Sequence, residues 1–160
     1  MLSVKLICVG KMREPFYIEA FREYAQRPSG YCRFECCELA EMRLPAEPTG
    51  GEIAAALEKE ADSILKSIPA GSYAVAMSIE GKKLSSEGVA EMLNRCAVSG
   101  KSKICFIIGG SFGLAERVKA AADFRLSMSD MTFPHHLARV MLAEQIYRGF
   151  KINEGSAYHK

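Results

Sequence analysis

The residues that could do chemistry gather in one stretch, from Lys103 to Arg139. Its first half is an apolar run that ends in Gly109-Gly110. This pattern is typical of a buried strand followed by a loop in which the lack of side chains leaves the main chain accessible. Its second half contains a short strand, a loop whose only charge is Asp130, and the turn Pro134-His135-His136. Two loops at strand ends, each exposing backbone groups, could together hold a flat polar ligand.

Familiar nucleotide-binding and catalytic motifs are absent. The segment from Gly109 to Gly113 lacks the G-x-G-x-x-G spacing, and no acidic residue ends a following strand about 20 positions on to hold a ribose. Gly81-Lys82 is followed by Lys83 instead of Ser or Thr, so it does not form a P-loop. There is no G-x-S-x-G, and the adjacent His135 and His136 cannot face one metal ion as an i, i+4 pair would. The sequence therefore supports neither phosphate-binding motif, nor a hydrolase, nor a zinc enzyme.

Length and composition indicate one ordinary domain. A chain of 160 residues can bury roughly 70% of its unfolded surface without help from metals or disulfides. Hydrophobic residues make up 49% and charged residues 25%, as in typical globular proteins. Lys5, Lys11 and Arg13 interrupt the only apolar run near the N-terminus, and no stretch approaches the ~20 apolar residues of a membrane span. We therefore expect a cytoplasmic protein.

The six cysteines include no C-x-x-C pair. Cys8, Cys36, Cys37 and Cys105 lie inside predicted strands, where a reduced cysteine is a small apolar residue. We interpret them as packing residues in preference to a metal or redox site, and we expect no metal.

The positive charge is concentrated at the C-terminal end. The formal net charge is only +2, which is too weak for the broad basic face of a nonspecific nucleic-acid binder. From Pro134 onward four basic residues oppose two acidic ones, so the whole excess lies there, together with all three histidines. If the partner is a polyanion, this end meets it. The alternative is a solvated amphipathic helix.

Hydrophobic periodicity predicts regular alternation of strands and helices. The predicted strands are Val4 to Val9, Arg33 to Leu39, Tyr73 to Ile79, Ile104 to Ile108 and Phe124 to Met128. The predicted helices are Pro15 to about Pro28, Glu52 to Ile68, Ser86 to Val98, Ala115 to Ala122 and Pro134 to about Ile152, and residues 40–51 and 80–83 are predicted loops. This order indicates an α/β fold, a parallel sheet covered on both faces. Ligands of such sheets lie beyond the carboxyl ends of the strands, where the loops after Ile79, Ile108 and Met128 would meet.

Four motifs in order carry a resemblance to a known family. They are Ile107-Ile108-Gly109-Gly110-Ser111-x-Gly113-Leu114, then Leu126-Ser127 with Met131-Thr132-Phe133-Pro134-His135, then Arg139-Val140 with Glu144-Gln145-x-Tyr147-Arg148, and finally Tyr158-His159-Lys160. Together they closely resemble the RlmH family over the whole length of the chain. Its members are 23S ribosomal RNA pseudouridine N3-methyltransferases of the SPOUT superfamily.

The resemblance implies a fold and a cofactor. The expected fold is one SPOUT methyltransferase domain over residues 1–160, with a deep trefoil knot at about residues 103–160. The expected cofactor is S-adenosylmethionine, the methyl donor. Its contacts carry over to Met77, Gly109, Met128, Ser129, Asp130, Met131, Thr132 and Phe133. An adenine needs an apolar slot with backbone donors and acceptors, which agrees with these residues; for each methionine the alternative is core packing.

The resemblance also implies a homodimer with the long C-terminal helices at the interface. That helix is apolar on more sides than a monomer needs. The polar tail from Glu154 to Lys160 would then close the cofactor pocket of the partner subunit, so each active site would be composite.

The catalytic candidates are His159, His135, Arg139 and Tyr158. A neutral histidine can remove the imide proton near pH 7, and the resemblance favours His159 over His135 as the base. Arg139 could hold a phosphate or the developing oxyanion, and Tyr158 could stack on the flipped base. The alternatives are a helix-start residue that bonds the backbone for His135 and an interface salt bridge for Arg139.

The resemblance implies helix 69 of 23S ribosomal RNA as the substrate. Because the chain has little positive charge and no appended RNA-binding domain, we expect it to bind isolated RNA weakly and to act on the assembled ribosome. Two alternatives stay open. One is a methyltransferase of the same fold that acts on another RNA such as tRNA. The other is a non-enzymatic α/β nucleotide-binding or interaction module.

Overall fold

Five parallel strands form a single sheet, as the alternation predicted. The computed structural model describes all 160 residues. The strands are β1 (Leu2–Val9), β2 (Cys32–Leu39), β3 (Tyr73–Lys83), β4 (Lys103–Ile108) and β5 (Phe124–Ser127). Their order across the sheet is β2-β1-β4-β3-β5, and every neighbouring pair is parallel. The carboxyl ends of β4, β3 and β5 therefore lie side by side.

Four α-helices connect the strands and a fifth follows β5. They are α1 (Pro15–Gln26), α2 (Gly50–Ser67), α3 (Ser86–Val98), α4 (Glu116–Ala121) and α5 (His135–Asn153), with short 3₁₀ turns at Arg27–Gly30 and Ala157–His159. The start of α2 has a local cause, because the Thr49 hydroxyl accepts from the amide of Glu52 at 3.2 Å and the Glu52 carboxylate accepts from the amide of Thr49 at 3.3 Å. This capping box extends the helix to Gly50, two residues before its predicted start.

The core consists of two layers, one on each face of the sheet. On one face Leu6 and Phe106 pack with Leu93 of α3 and Ile146 of α5. On the other face Ile7 and Ile107 pack with Ile64 of α2 and Val118 of α4. Successive residues of the central strands β1 and β4 thus face opposite layers, and both are buried. The α/β sandwich predicted from the sequence is confirmed.

One predicted boundary is wrong in a way that matters. Strand β3 was expected to end at Ile79 with a loop at residues 80–83, but it continues to Lys83. Met77 and Lys82 both pair with Leu126, so the segment between them bulges out of the ladder. The glycine at position 81 allows β3 to pair with β5 again after the bulge, because a Cβ atom there would lie 2.7 Å from the Arg125 carbonyl carbon. The bulge presents residues 78–80 beyond the sheet edge.

The cysteines are free thiols. Cys32 also lies on a strand, which adds a fifth to the four strand cysteines predicted, and Cys96 packs into the core from α3. No group of three or more His, Cys, Asp or Glu side chains is arranged to hold a metal ion. None of the helices combines the length and hydropathy required to cross a lipid bilayer.

Candidate active site

A cavity of about 450 Å³ opens at the carboxyl edge of β3, β4 and β5. Three segments form it, namely the β3 bulge, the glycine-rich loop after β4 and the loop after β5. The predicted loops after Ile108 and Met128 do meet at this edge, and the place of the predicted loop after Ile79 is taken by the bulge within β3. Phe112, Ile79 and Met131 at this cavity are among the most exposed large apolar side chains of the chain. The cavity therefore has an apolar rim that faces solvent.

The glycine-rich loop turns back on itself over a very short distance. The amide of Gly113 donates to the carbonyl of Gly110 at 3.1 Å, and these two residues form an isolated antiparallel bridge. A Cβ atom at Gly109 would lie 2.2 Å from the carbonyl oxygen of Gly113, so no other residue fits without moving the backbone. Gly113 itself has φ = 78°, a conformation that favours glycine. The glycines thus let main chain line the cavity.

The loop after β5 is held by its own serines. The Ser127 hydroxyl donates to the carbonyl of Ser129 at 3.2 Å, and the Ser129 hydroxyl accepts from the amide of Met131 at 3.0 Å. Seven of the eight residues proposed for the cofactor line the cavity: Met77, Gly109, Met128, Ser129, Met131, Thr132 and Phe133. Asp130 does not, because its carboxylate points to Lys83, 2.6 Å away on the surface. Met77 and Met128 also pack against the core, so they serve the fold and the cavity together.

Two charged side chains that sequence reasoning missed also line the cavity. Glu80 Oε1 and Lys119 Nζ are 2.5 Å apart. The hydrogen bond from Lys119 lowers the pKa of the Glu80 carboxyl to about 2, so this group is ionised at neutral pH. Ser78 also lines the cavity, beside Glu80, and its hydroxyl helps to lower the pKa of that carboxyl. No sequence signal pointed to these residues, because the bulge that presents Ser78 and Glu80 was predicted as a simple loop and Lys119 lies on α4.

Glu41 is a further residue that the sequence did not single out. Its Oε1 atom accepts from the amide of Ser111 at 3.4 Å and lies against Gly110. The segment after β2 therefore reaches across to the glycine-rich loop. This contact links the edge near β2 to the wall of the cavity.

Of the two candidate bases, His135 alone lines the cavity within one chain. Its ring is half-buried, and this burial, followed by the charge of the neighbouring His136, lowers the pKa of His135. The imidazole is therefore neutral at pH 7 and able to accept a proton. His136 turns away, with Nδ1 lying 3.1 Å from Glu14 Oε2.

Arg139 is deeply buried and is engaged within its own chain. Its side chain is 1% exposed, with NH1 2.7 Å from Glu38 Oε2 and NH2 3.0 Å from the carbonyl oxygen of Gly10. The same Glu38 oxygen accepts from the amide of Met12 at 2.9 Å. In this position Arg139 joins the start of α5 to β1 and β2, and it does not line the cavity.

The C-terminal residues pack on α5 of their own chain. The Tyr158 hydroxyl donates to Glu144 at 3.2 Å, and the Tyr158 ring meets Tyr147 edge-on at 5.0 Å. His159 Nε2 lies 2.7 Å from Glu87 Oε1 on α3, and its Nδ1 lies 3.4 Å from Arg148. Within one chain the tail is therefore ordered against α3 and α5, and it does not line the cavity.

The fold and cavity together define a class of protein. Parallel α/β sheets that are covered by helices on both faces bind small molecules at the carboxyl edge of their strands. In this chain a glycine-rich loop and a second loop with accessible main chain lie at that edge. A family model described as "Predicted SPOUT methyltransferase" matches residues 2–159. The chain belongs to the SPOUT methyltransferase family, and it is a methyltransferase.

Relatives and solved structures agree with this assignment. The chain is 43% identical to the ribosomal RNA large subunit methyltransferase H of Clostridioides difficile and 42% identical to that of Clostridium botulinum strain Kyoto, in each case over 99% of this chain and 100% of the relative. The fold is similar to that of a probable methylase family protein from Haemophilus influenzae, with a TM-score of 0.58 at 14% identity, over 100% of this chain and 72% of the other. The RlmH resemblance is thereby confirmed.

Proposed function

We propose that this protein transfers a methyl group from S-adenosylmethionine to N3 of a pseudouridine in helix 69 of 23S ribosomal RNA. The observation that carries the proposal is the cavity at the carboxyl edge, in a chain more than 40% identical to relatives named ribosomal RNA large subunit methyltransferase H. A ribosomal substrate also implies that the protein works in the cytoplasm.

The residues of the cavity fit S-adenosylmethionine. The volume of about 450 Å³ lies in the range of sites for ligands of this size. Met77, Met128 and Phe133 supply apolar surface for an adenine, and the glycine-rich loop supplies main-chain hydrogen-bonding groups beside it.

The chemistry asked of the protein is modest. When bound, the donor supplies an activated methyl group on its sulfonium. The chain must orient the two reactants, exclude water and remove the imide proton from the pseudouridine. The exposed Phe112 of the glycine-rich loop and the exposed Met131 of the loop after β5 provide apolar cover for a base drawn out of the RNA.

We propose His159 of the partner subunit as the base and Tyr158 as the residue that stacks on the substrate. His135 is the alternative, and it has the advantage of lining the cavity in the same chain as a neutral imidazole. Arg139 fits the proposed contact with a phosphate or oxyanion less well, because its guanidinium is buried against Glu38 and Gly10.

We propose that the protein is a homodimer, and a groove of about 590 Å³ beside the cavity supports this proposal. Half-buried Tyr24, Leu84 and Met141 form its apolar surface, and it shares Met77 and Met128 with the cavity. Glu144, which binds Tyr158, lies at its edge. A second copy docked on this groove would lie next to the donor site, with its tail at the rim. The proposed composite site rests on this adjacency.

Two architectural expectations stay predictions. The first is that residues 1–160 form a single domain, which the continuous sheet and the family match over residues 2–159 support. The second is a trefoil knot at about residues 103–160.

Methyl transfer from labelled cofactor to ribosomes that lack this modification tests the proposed function. We expect incorporation at one pseudouridine when the labelled base is mapped. With little net charge, the protein should methylate isolated 23S ribosomal RNA much more slowly than ribosomes. Equal rates on both would contradict the ribosomal substrate, and labelling of tRNA instead would favour the alternative substrate class.

A further inference from the structure

We propose that Glu80 binds the ribose of the methyl donor by accepting hydrogen bonds from its hydroxyl groups, and that Lys119 positions this carboxylate. The inference rests on the proposed function, because it assumes that the cavity takes S-adenosylmethionine. It assigns a role to two residues that no motif of the family resemblance includes.

The position of Glu80 in the sheet is the first argument. In nucleotide-binding α/β proteins a carboxylate near the end of the strand beside the glycine-loop strand holds the ribose. Here the glycine-rich loop follows β4, and β3 is its direct neighbour. No ribose-binding carboxylate follows the glycine-rich loop in the sequence. Glu80, which precedes that loop in the sequence, is carried to the cavity by the bulge between Met77 and Lys82.

The charges at the cavity are the second argument. Glu80 and Lys119 are the only fully charged side chains among the residues that line it. The Lys119 side chain is 17% exposed and that of Glu80 is 56% exposed, so the ammonium is mostly covered while the carboxylate is open to a ligand. An ionised carboxylate only accepts hydrogen bonds and has about four acceptor positions, of which Lys119 uses one. The remaining positions suit a pair of neighbouring hydroxyl donors.

The ammonium group of Lys119 determines which part of S-adenosylmethionine Glu80 is suited to bind. Lys119 neutralises Glu80, so the pair has little net attraction for the positive sulfonium or for the α-ammonium group of the methionine end. An ammonium of the ligand at this place would also lie close to Lys119 and be repelled. Ribose hydroxyls are neutral and need only good acceptors. The pair therefore matches the ribose better than the amino-acid end.

Calorimetry with S-adenosylhomocysteine and its 2′-deoxy and 3′-deoxy counterparts tests the assignment without any RNA. Wild-type protein should bind the ribose form roughly 10-fold more tightly than at least one deoxy form, since a hydrogen bond to a charged group is lost. Glu80→Gln and Glu80→Ala should bind the ribose form roughly 10-fold more weakly and the deoxy form almost unchanged. In these variants the ratio of the affinity for S-adenosylhomocysteine to the affinity for that deoxy form should thus fall toward one.

The matched control is Glu116→Gln. Glu116 also pairs with a cation, Arg125, at 2.7 Å, but it lies outside the cavity, so the affinity ratio should keep its wild-type value. Lys119→Met should lower the ratio because the carboxylate loses its anchor, and Lys119→Arg should restore part of it. A wild-type ratio in both Glu80 variants would overturn the assignment. If wild-type protein binds none of these ligands, the proposed function fails, and this assignment fails with it.

Discussion

At the scale of single residues, proton transfer depends on which histidine meets the substrate. His135 stands at the cavity with a lowered pKa, because burial disfavours its charged form. Its folded-state pKa lies below its unfolded one, so protonation is resisted as the pH falls and the ring stays neutral to lower pH than an ordinary histidine. His159 stands on the tail, bonded to Glu87. An acid limb displaced below the usual histidine range in a pH–rate profile would therefore point to His135.

We expect His159→Ala to lower kcat on ribosomes by about 100-fold or more, as for loss of a general base. It should also remove the acid limb of the profile, whereas His135→Ala should retain that limb. Steady-state methyl transfer between pH 5 and pH 9 measures both. A His159→Ala enzyme with normal activity and an unchanged profile would exclude His159. An acid limb displaced below the usual histidine range and lost in His135→Ala would assign the role to His135.

The sequence predicts that Arg139 contacts the substrate, whereas in the structure its side chain connects segments of its own chain. A cation near the start of α5 seemed free to meet a phosphate. In the fold its partners are Glu38, 101 residues away in sequence, and the carbonyl of Gly10. These partners match NH1 and NH2 of the buried guanidinium, as burial of a charge requires, whereas its Nε atom has no partner in the chain. These partners could not be predicted from the sequence, because both are more than 100 residues away along the chain.

At the scale of elements, the glycine-rich loop and the β3 bulge decide the shape of the cavity. The loop is tight because Gly109 touches the carbonyl of Gly113, and the bulge closes because Gly81 lies on the backbone of β5. Both glycines allow two stretches of main chain to approach more closely than a Cβ permits. Each is therefore a requirement of packing between elements.

Gly109→Ala should destabilise the protein by about 1–3 kcal/mol, as overpacking of a filled site does. It should also weaken binding of S-adenosylhomocysteine, because the loop must move away from Gly113. Chemical denaturation and calorimetry measure the two effects. Gly51→Ala is the matched control, since nothing lies within 4 Å of its Cβ position on α2; it should leave binding unchanged and raise stability by about 0.5–1 kcal/mol. Unchanged stability and binding in Gly109→Ala would contradict the tight loop.

At the scale of the whole molecule, the tail lies apart from the cavity of its own chain. Tyr158 and His159 pack on α5 and α3, beside the groove that we assign to the dimer interface. If the tail completes the site of the partner subunit, defects in the tail and in the cavity should complement each other between subunits.

Mixing His159→Ala with Gly109→Ala protein after dissociation and reassociation tests this complementation. Each variant alone should be strongly impaired, the Gly109→Ala protein when it is assayed at a cofactor concentration far below its weakened affinity. In a mixed dimer one site carries both defects and the other carries neither, so random mixing should recover about a quarter of the wild-type activity. A mixture as inactive as its components, with mixed dimers verified by mass spectrometry, would place the tail in the site of its own chain.

The sequence by itself determined the elements, because their causes are local. Hydrophobic period, proline at the start of α1 and glycine-rich loops after strands depend on neighbours along the chain, and the five strands and five helices follow them closely. The family resemblance predicted eight cofactor-binding residues, and seven of them line the cavity. The tertiary structure alone decided the rest: the bulge that carries Glu80 to Lys119, the burial of Arg139 on Glu38, and the turning of Asp130 toward Lys83. Each of these depends on contacts between segments distant in the chain, and such contacts leave no periodic pattern in the residues that make them.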